Sequence, residues 1–343
     1  MITQYDGMER QFLTSPDILD RLPDNEATRA WISHLESLGP DIPTVSLFDP
    51  ARMLDDLLDL AVPHEDIDAI IALTPSPERN PDAWRLLERI VAVINSRMGE
   101  IDNAPTAPDL PGDGPLARYF HVYPLLALKP LVEEWHGQRC IPEDISRRTL
   151  VDLGRNLAVH RKRYGTGGIS LHQWLQLHFR GAIYQLGRLQ FQRWKLGETS
   201  GNAIRDAGHP AEPGGFALNV HITDFSGPMR PNLCSASFDR AREFFPTHFP
   251  EEPYRVAVCH SWLLDPQLAD YLPERSNIVQ FQRRFTLVER DREPMDDVAF
   301  QFVFGRQASE IDTLPRTSTV QRALIDHVRN GGHWHGGSGW LVL

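Results

Sequence analysis

The first hundred residues carry a helical pattern. In ARMLDDLLDLA (51–61), HEDIDAIIAL (64–73) and DAWRLLERIVAVINSRM (82–98), apolar residues recur every three to four positions. That spacing places them on one side of an α-helix. In the last segment Trp84, Leu87, Ile90, Val91 and Ile94 share the side, and Asp82 is placed to cap the start. Prolines and glycines then alternate through DNAPTAPDLPGDGPLA, which predicts an extended loop. Helical pattern returns over 116–161, punctuated by Pro124, Pro130 and Pro142, and Gly165, Gly167 and Gly168 stop it.

After Gly168 the period shortens to two. AIYQLGRLQFQRW (182–194) and GFALNVHI (215–222) read as strands. In the second, Phe216, Leu218, Val220 and Ile222 share one face and Ala217, Asn219 and His221 the other. SASFDRAREFF (235–245) reads as a helix stopping at Pro246, and YRVAVCHSWLL (254–264) as a strand. DPQLADYL (265–272) reads as a helical turn or two with Asp265 at its cap. FTLVER (285–290) and DVAFQFVF (297–304) read as a hairpin across REPMD. TVQRALIDHVRN (319–330) is a final helix, and WLVL closes the chain as a strand. Helices interleaved with strands predict a mixed sheet of the α/β (α+β) class. The expected organisation is a helical domain over 1–165 and a mixed-sheet domain over 166–343.

Charge sharpens this division. Thirty-five basic and 46 acidic side chains give a net charge of −11, which disfavours nucleic acid as a partner. Residues 1–110 hold 21 acidic and 8 basic side chains. Residues 136–195 hold eleven Arg and Lys against Glu143, Asp144 and Asp152. That basic run reads as a solvated face or as a wall for a phosphorylated ligand. Three cysteines without CxxC spacing fit reduced thiols. MITQYDGMER lacks the basic and apolar regions of a secretory signal, and no run reaches membrane-spanning length. A cytoplasmic protein without membrane contact is expected.

RGAIYQLGRLQF, NVHI followed by SGPM, FFPTHFPEE and CHSWLLDPQLADYLPERSNIVQFQRRF resemble a two-domain bacterial acyltransferase family. That family joins a helical N-terminal domain to a GNAT-like C-terminal acyltransferase domain. The resemblance implies transfer of an acyl group from acyl-CoA to an amine on a small-molecule acceptor, with acyl-CoA as co-substrate and no metal. It places the CoA pyrophosphate at the strand-to-helix junction TDFSGPMRPNLCS, where Ser226, Gly227, Arg230, Asn232 and Ser235 are the candidate contacts. A helix N-terminus suits an anion there. The usual signature Arg/Gln-x-x-Gly-x-Gly/Ala is absent from this junction.

Direct acyl transfer needs a base for the amine and a donor for the thioester oxyanion. His221, closing one strand, and His260, on the strand expected beside it, are the candidate bases, with Ser261 next to His260. Adjacent strand residues point to opposite faces, so Cys259 cannot pair with His260 as a nucleophile dyad. Two rival expectations stand: a non-catalytic acyl-CoA or small-ligand module, and a hydrolase using Cys259. His333 and His335 share a parity, without a third ligand at recognisable spacing.

Overall fold

A computed structural model describes residues 17–39, 50–101, 104–223 and 225–343. The segment MITQYDGMER, read for a leader, lies outside these residues. The first half is helical: α1 Glu26–Ser37, α2 Pro50–Asp59, α3 His64–Ala72, α4 Pro81–Ser96, α5 Pro115–Tyr119, α6 Val122–Gln138, α7 Glu143–Leu150, α8 Asp152–Tyr164 and α9 His172–Phe179. The apolar stripe read in 82–98 is buried as expected: Leu87, Ile90, Val91 and Ile94 of α4 join a core that extends from Ile18 to Leu175 and Phe179. Pro81 opens α4 at a position where its missing N–H is harmless. Gly165 closes α8 in the left-handed conformation at φ +68.

The second half runs β1 Ile183–Leu186, β2 Leu189–Lys195, α10 Glu198–Asp206, β3 Phe216–Ile222, α11 Pro231–His248 and β4 Val256–Ser261. It continues through α12 Leu268–Tyr271, α13 Asn277–Gln282, β5 Thr286–Pro294, α14 Asp296–Phe304, α15 Thr319–Arg329 and β6 His335–Val342. Among the described residues six strands make one sheet in the order β1-β2-β3-β4-β6-β5. The β3–β4 pair is parallel and the others antiparallel, so the sheet is mixed. Leu218 and Val220 of β3, with Ala257 and Cys259 of β4, face α11 in the main core. Ala217, Val256 and Val258 face the opposite side with Ile204 of α10 and Trp340.

Four expectations are corrected. The single strand over 182–194 is a hairpin, because Gly187 takes φ +85 at the first position of a two-residue turn. DVAFQFVF is helix α14 rather than a hairpin strand; Asp296 and Asp297 lie in its first turn and Gly305 caps it at φ +68. β5 therefore pairs with β6 instead. The expected WLVL strand is the end of the longer β6, which lies inside the sheet. Helix α11 runs through Pro246 to His248, since a proline in the last turn removes only one backbone bond. No helix of the described residues is long and apolar enough to cross a membrane.

Candidate active site

The parallel pairing of β3 with β4 is confined to Leu218↔Ala257 and Asn219↔Val258. Each strand then continues for three residues without pairing to the other, to Ile222 and to Ser261. The two C-terminal ends thus open a cleft, with backbone edges that the sheet itself does not satisfy. The face opposite α11 is polar at this end. By register, Gln190 and Gln192 of β2 stand beside His221 and Asn219 of β3, and Ser338 of β6 stands beside His260 of β4. His221 and His260 have the same parity relative to the Leu218↔Ala257 pair, so both present to this face. β3 and β4 are neighbours, as expected, and their register puts the two histidines on one face.

Their environments differ. His221 is partly buried; its Nε2 donates to Gln192 Oε1 at 2.8 Å, and the Trp174 ring packs edge-on at 4.7 Å. Burial, with a smaller contribution from His178, pushes its pKa down to about 3, so it stays neutral. His260 is exposed, with its Nε2 2.9 Å from Asp291 Oδ2. Ser261 does not join them. Its Oγ accepts from the Leu263 amide at 3.1 Å and caps the short 3-10 turn that follows β4. Cys259 lies on the opposite face in the main core, and burial pushes its thiol up to about 12. A thiol held protonated and out of reach leaves the hydrolase expectation without a nucleophile.

Beyond β3 lies the loop to α11, where the resemblance places the pyrophosphate contacts. Gly227 takes φ +75 with open space around its Cα, which suits close backbone approach by a ligand. The N-terminus of α11 has Arg230 at its cap position and no side-chain cap, and Pro231 has no N–H. Arg230 and Asn232 are exposed there. Ser226 and Ser235 are engaged differently: Ser226 Oγ lies 2.6 Å from Thr223 Oγ1, and Ser235 Oγ accepts from Arg284 Nη2 at 2.9 Å. Arg155 from α8 sits 4.9 Å from the Phe225 ring beside this loop. Much of the remaining basic run is used structurally. Arg161 pairs with Asp66, Arg147 with Asp59 and Arg139 with Glu251. Buried Arg193 pairs with Glu252 and donates to the Gly99 and Gly181 carbonyls, joining the two halves.

Sequence reasoning missed the part played by Asp152. Asp152, fully buried at the start of α8, accepts from Trp174 Nε1, Asn156 Nδ2 and Gln190 Nε2, each at 3.0 Å. His178 donates from Nδ1 to the Trp174 carbonyl at 3.2 Å, and its Nε2 lies 3.2 Å from Gln190 Nε2. This knot fixes Trp174 against His221. With its amide turned so that the oxygen accepts, Gln301 of α14 also meets Arg163 of α8 across the halves.

Two histidine groups invite a metal reading. Asp109, His121 and His172 bring ligand atoms within 4.8 Å of one another. The two rings, however, stack flat at 3.6 Å and 1°. Parallel ring planes cannot both contain one ion, and His172 Nε2 is already bonded to the Ala107 carbonyl. His333 and His335 are each engaged, through Nδ1, by Asp296 at 2.7 Å and the Asp291 carbonyl at 2.8 Å.

Two family models match in succession: the N-acyltransferase N-terminal domain over residues 52–181 and the GNAT-like C-terminal domain over 183–341. Among curated proteins none matches. Among solved structures, the chain is similar to a tryptophan-to-alanine mutant acyltransferase in complex with octanoyl-CoA. The identity is 39%, covering 95% of this chain and 98% of that one, with a TM-score of 0.84. An acyltransferase in complex with decanoyl-CoA matches with the same values. One in complex with decanoyl-CoA and teicoplanin matches at 38% identity, the same coverage and a TM-score of 0.84. The chain belongs to the acyl-CoA-dependent N-acyltransferases that join a helical N-terminal domain to a GNAT-like C-terminal domain.

Proposed function

We propose that this enzyme transfers a medium-length acyl group directly from acyl-CoA to an amine on a small molecule of the kind represented by teicoplanin, with both substrates bound together. The observation that carries this reading is the splayed β3–β4 end, which brings His221 and His260 to one face beside the uncapped N-terminus of α11. Acyl-CoA lies with its pyrophosphate at Gly227, Arg230 and Asn232 and its thioester between the separated strands. Backbone N–H groups at those strand edges meet the developing oxyanion. The amine nitrogen attacks the thioester carbon while Nδ1 of His260 takes its proton. The C–S bond then breaks, and the CoA thiolate recovers a proton from the imidazolium or from water. His221, held neutral, accepts a hydrogen bond from the amine rather than its proton.

The chain length assigned here follows the octanoyl and decanoyl groups in the related complexes, and the acceptor follows teicoplanin in one of them. Initial velocities measured with octanoyl-CoA and decanoyl-CoA against teicoplanin test the reading. Intersecting double-reciprocal lines and an acylated product in the mass spectrum are expected. Parallel lines, or thiol release that does not need the acceptor, would overturn direct transfer.

A further inference from the structure

Resting on the reading that His260 is the base, we propose that Asp291 is the positioning residue that fixes its tautomer. A carboxylate can only accept, so the 2.9 Å contact between Asp291 Oδ2 and His260 Nε2 puts the ring proton on Nε2. Nδ1 then carries the lone pair, and it makes no hydrogen bond among the described residues. That is the atom left to take a proton from the acceptor amine.

The reach of this carboxylate is built into the sheet. Asp291 stands on β5 and His260 on β4, and β6 lies between them. The carboxylate crosses β6 over Gly336, where a Cβ would fall 2.0 Å from Asp291 Oδ2 and 2.7 Å from the Met295 sulfur. Gly336 is not among the residues at positive φ, so its backbone would accept a side chain; the space above it would not. β5 also shifts register against β6 between Leu287 and Glu289 and again between Arg290 and Pro294. Asp291 sits in that irregular stretch, and the His335 ring bonds its carbonyl at 2.8 Å, which pins the backbone while the side chain leans across.

The other groups near the pair do not compete for the carboxylate. Glu289 pairs in register with Ser338 on the same face, His221 stands on β3, and Arg290 turns toward Asp265 at 3.9 Å. No arginine or lysine pairs with Asp291 among the described residues. A half-buried carboxylate with a single imidazole partner, reached over a residue that must lack a side chain, is an arrangement for orienting that imidazole.

The test is kinetic and spectroscopic, on the full chain with decanoyl-CoA and teicoplanin. Asp291→Asn can present its NH2 to Nε2 and so favours the opposite tautomer. We expect kcat to fall by ~10²-fold or more with KM for acyl-CoA unchanged. In long-range ¹H–¹⁵N spectra the His260 ring, assigned by its loss in His260→Gln, should show the Nε2–H pattern in the wild type and lose it in Asp291→Asn. Gly336→Ala, which keeps both side chains but sets a methyl where the Asp291 carboxylate crosses β6, should give the same kinetic signature at a melting temperature that shows it folded. Wild-type kcat in Asp291→Asn, or a fallen kcat with the tautomer unchanged, overturns the proposal while leaving His260 as base. A near-normal rate in His260→Ala instead removes the reading on which it rests.

Discussion

Replacing Asp152 by alanine would take an acceptor away from three donors, of which Asn156 and Gln190 keep a second partner. The carboxylate is fully buried and receives Trp174 Nε1, Asn156 Nδ2 and Gln190 Nε2, all at 3.0 Å. One donor comes from α9, one from α8 itself and one from β2, so the carboxylate ties the helical half to the sheet. Each buried group left unsatisfied costs about 1–3 kcal/mol, and members of one network do not add independently. A net loss of about 3–5 kcal/mol follows, the range seen when one partner of a buried charged contact is removed. At about 2–4 °C per kcal/mol for domains of this size, the Tm should drop by on the order of 10 °C. Asp152→Asn keeps one acceptor oxygen and should lose about half as much. The assay is a thermal melt followed by circular dichroism, with Trp174→Phe and the double variant alongside. Because Trp174 supplies one of the three donors, the two losses should fall short of additive by about 1 kcal/mol. A melting temperature of Asp152→Ala within about 2 °C of the wild type would refute the idea that this knot joins the halves.

His260→Ala should lower kcat by on the order of 10²–10⁴ with acyl-CoA KM nearly constant, and its Tm should barely move because the side chain is exposed; a large Tm loss with normal turnover would mark it as structural. His136, buried with Nδ1 2.7 Å from Ser146 Oγ, has its pKa pushed down to about 4 by burial. The unfolded chain therefore binds the extra proton first, so stability is present above about pH 6.5 and is lost toward pH 4, by about 2 kcal/mol at pH 5. Melts from pH 7 to 5 should show the fall, and His136→Phe should flatten part of it; an unchanged slope in that variant would exclude His136 as its source. Gly154→Ala should destabilise although alanine favours helices by about 1 kcal/mol, because the new Cβ would lie 2.0 Å from the Ala61 carbonyl oxygen. An increase in Tm for that variant would show that α8 can shift away from the end of α2.

What was legible in the sequence is what depends on neighbours along the chain. The stripe in α4 and the alternation in β3 are local, and each matches the fold. DVAFQFVF failed because an eight-residue apolar run satisfies either period. Its helix is marked only at the ends, by Asp296, Asp297 and Gly305, while Phe302 stays exposed and weakens the stripe. Ser261 was assigned to the site by adjacency, yet strand parity turns it away and the following turn takes its hydroxyl. Asp291 and Asp152 carried no sequence pattern because their partners arrive through tertiary structure. Asp152 meets His221 through Trp174 and Gln190, once α8 and α9 have closed on β2. Asp291 meets His260 only if β6 inserts between β4 and β5 and presents a glycine at the crossing. The strands that carry the histidines are thus readable locally, whereas their shared face and the acids that orient or surround them depend on strand pairing. Strand order is settled by which hydrophobic faces pack, so in this fold the core determines which carboxylate reaches the base.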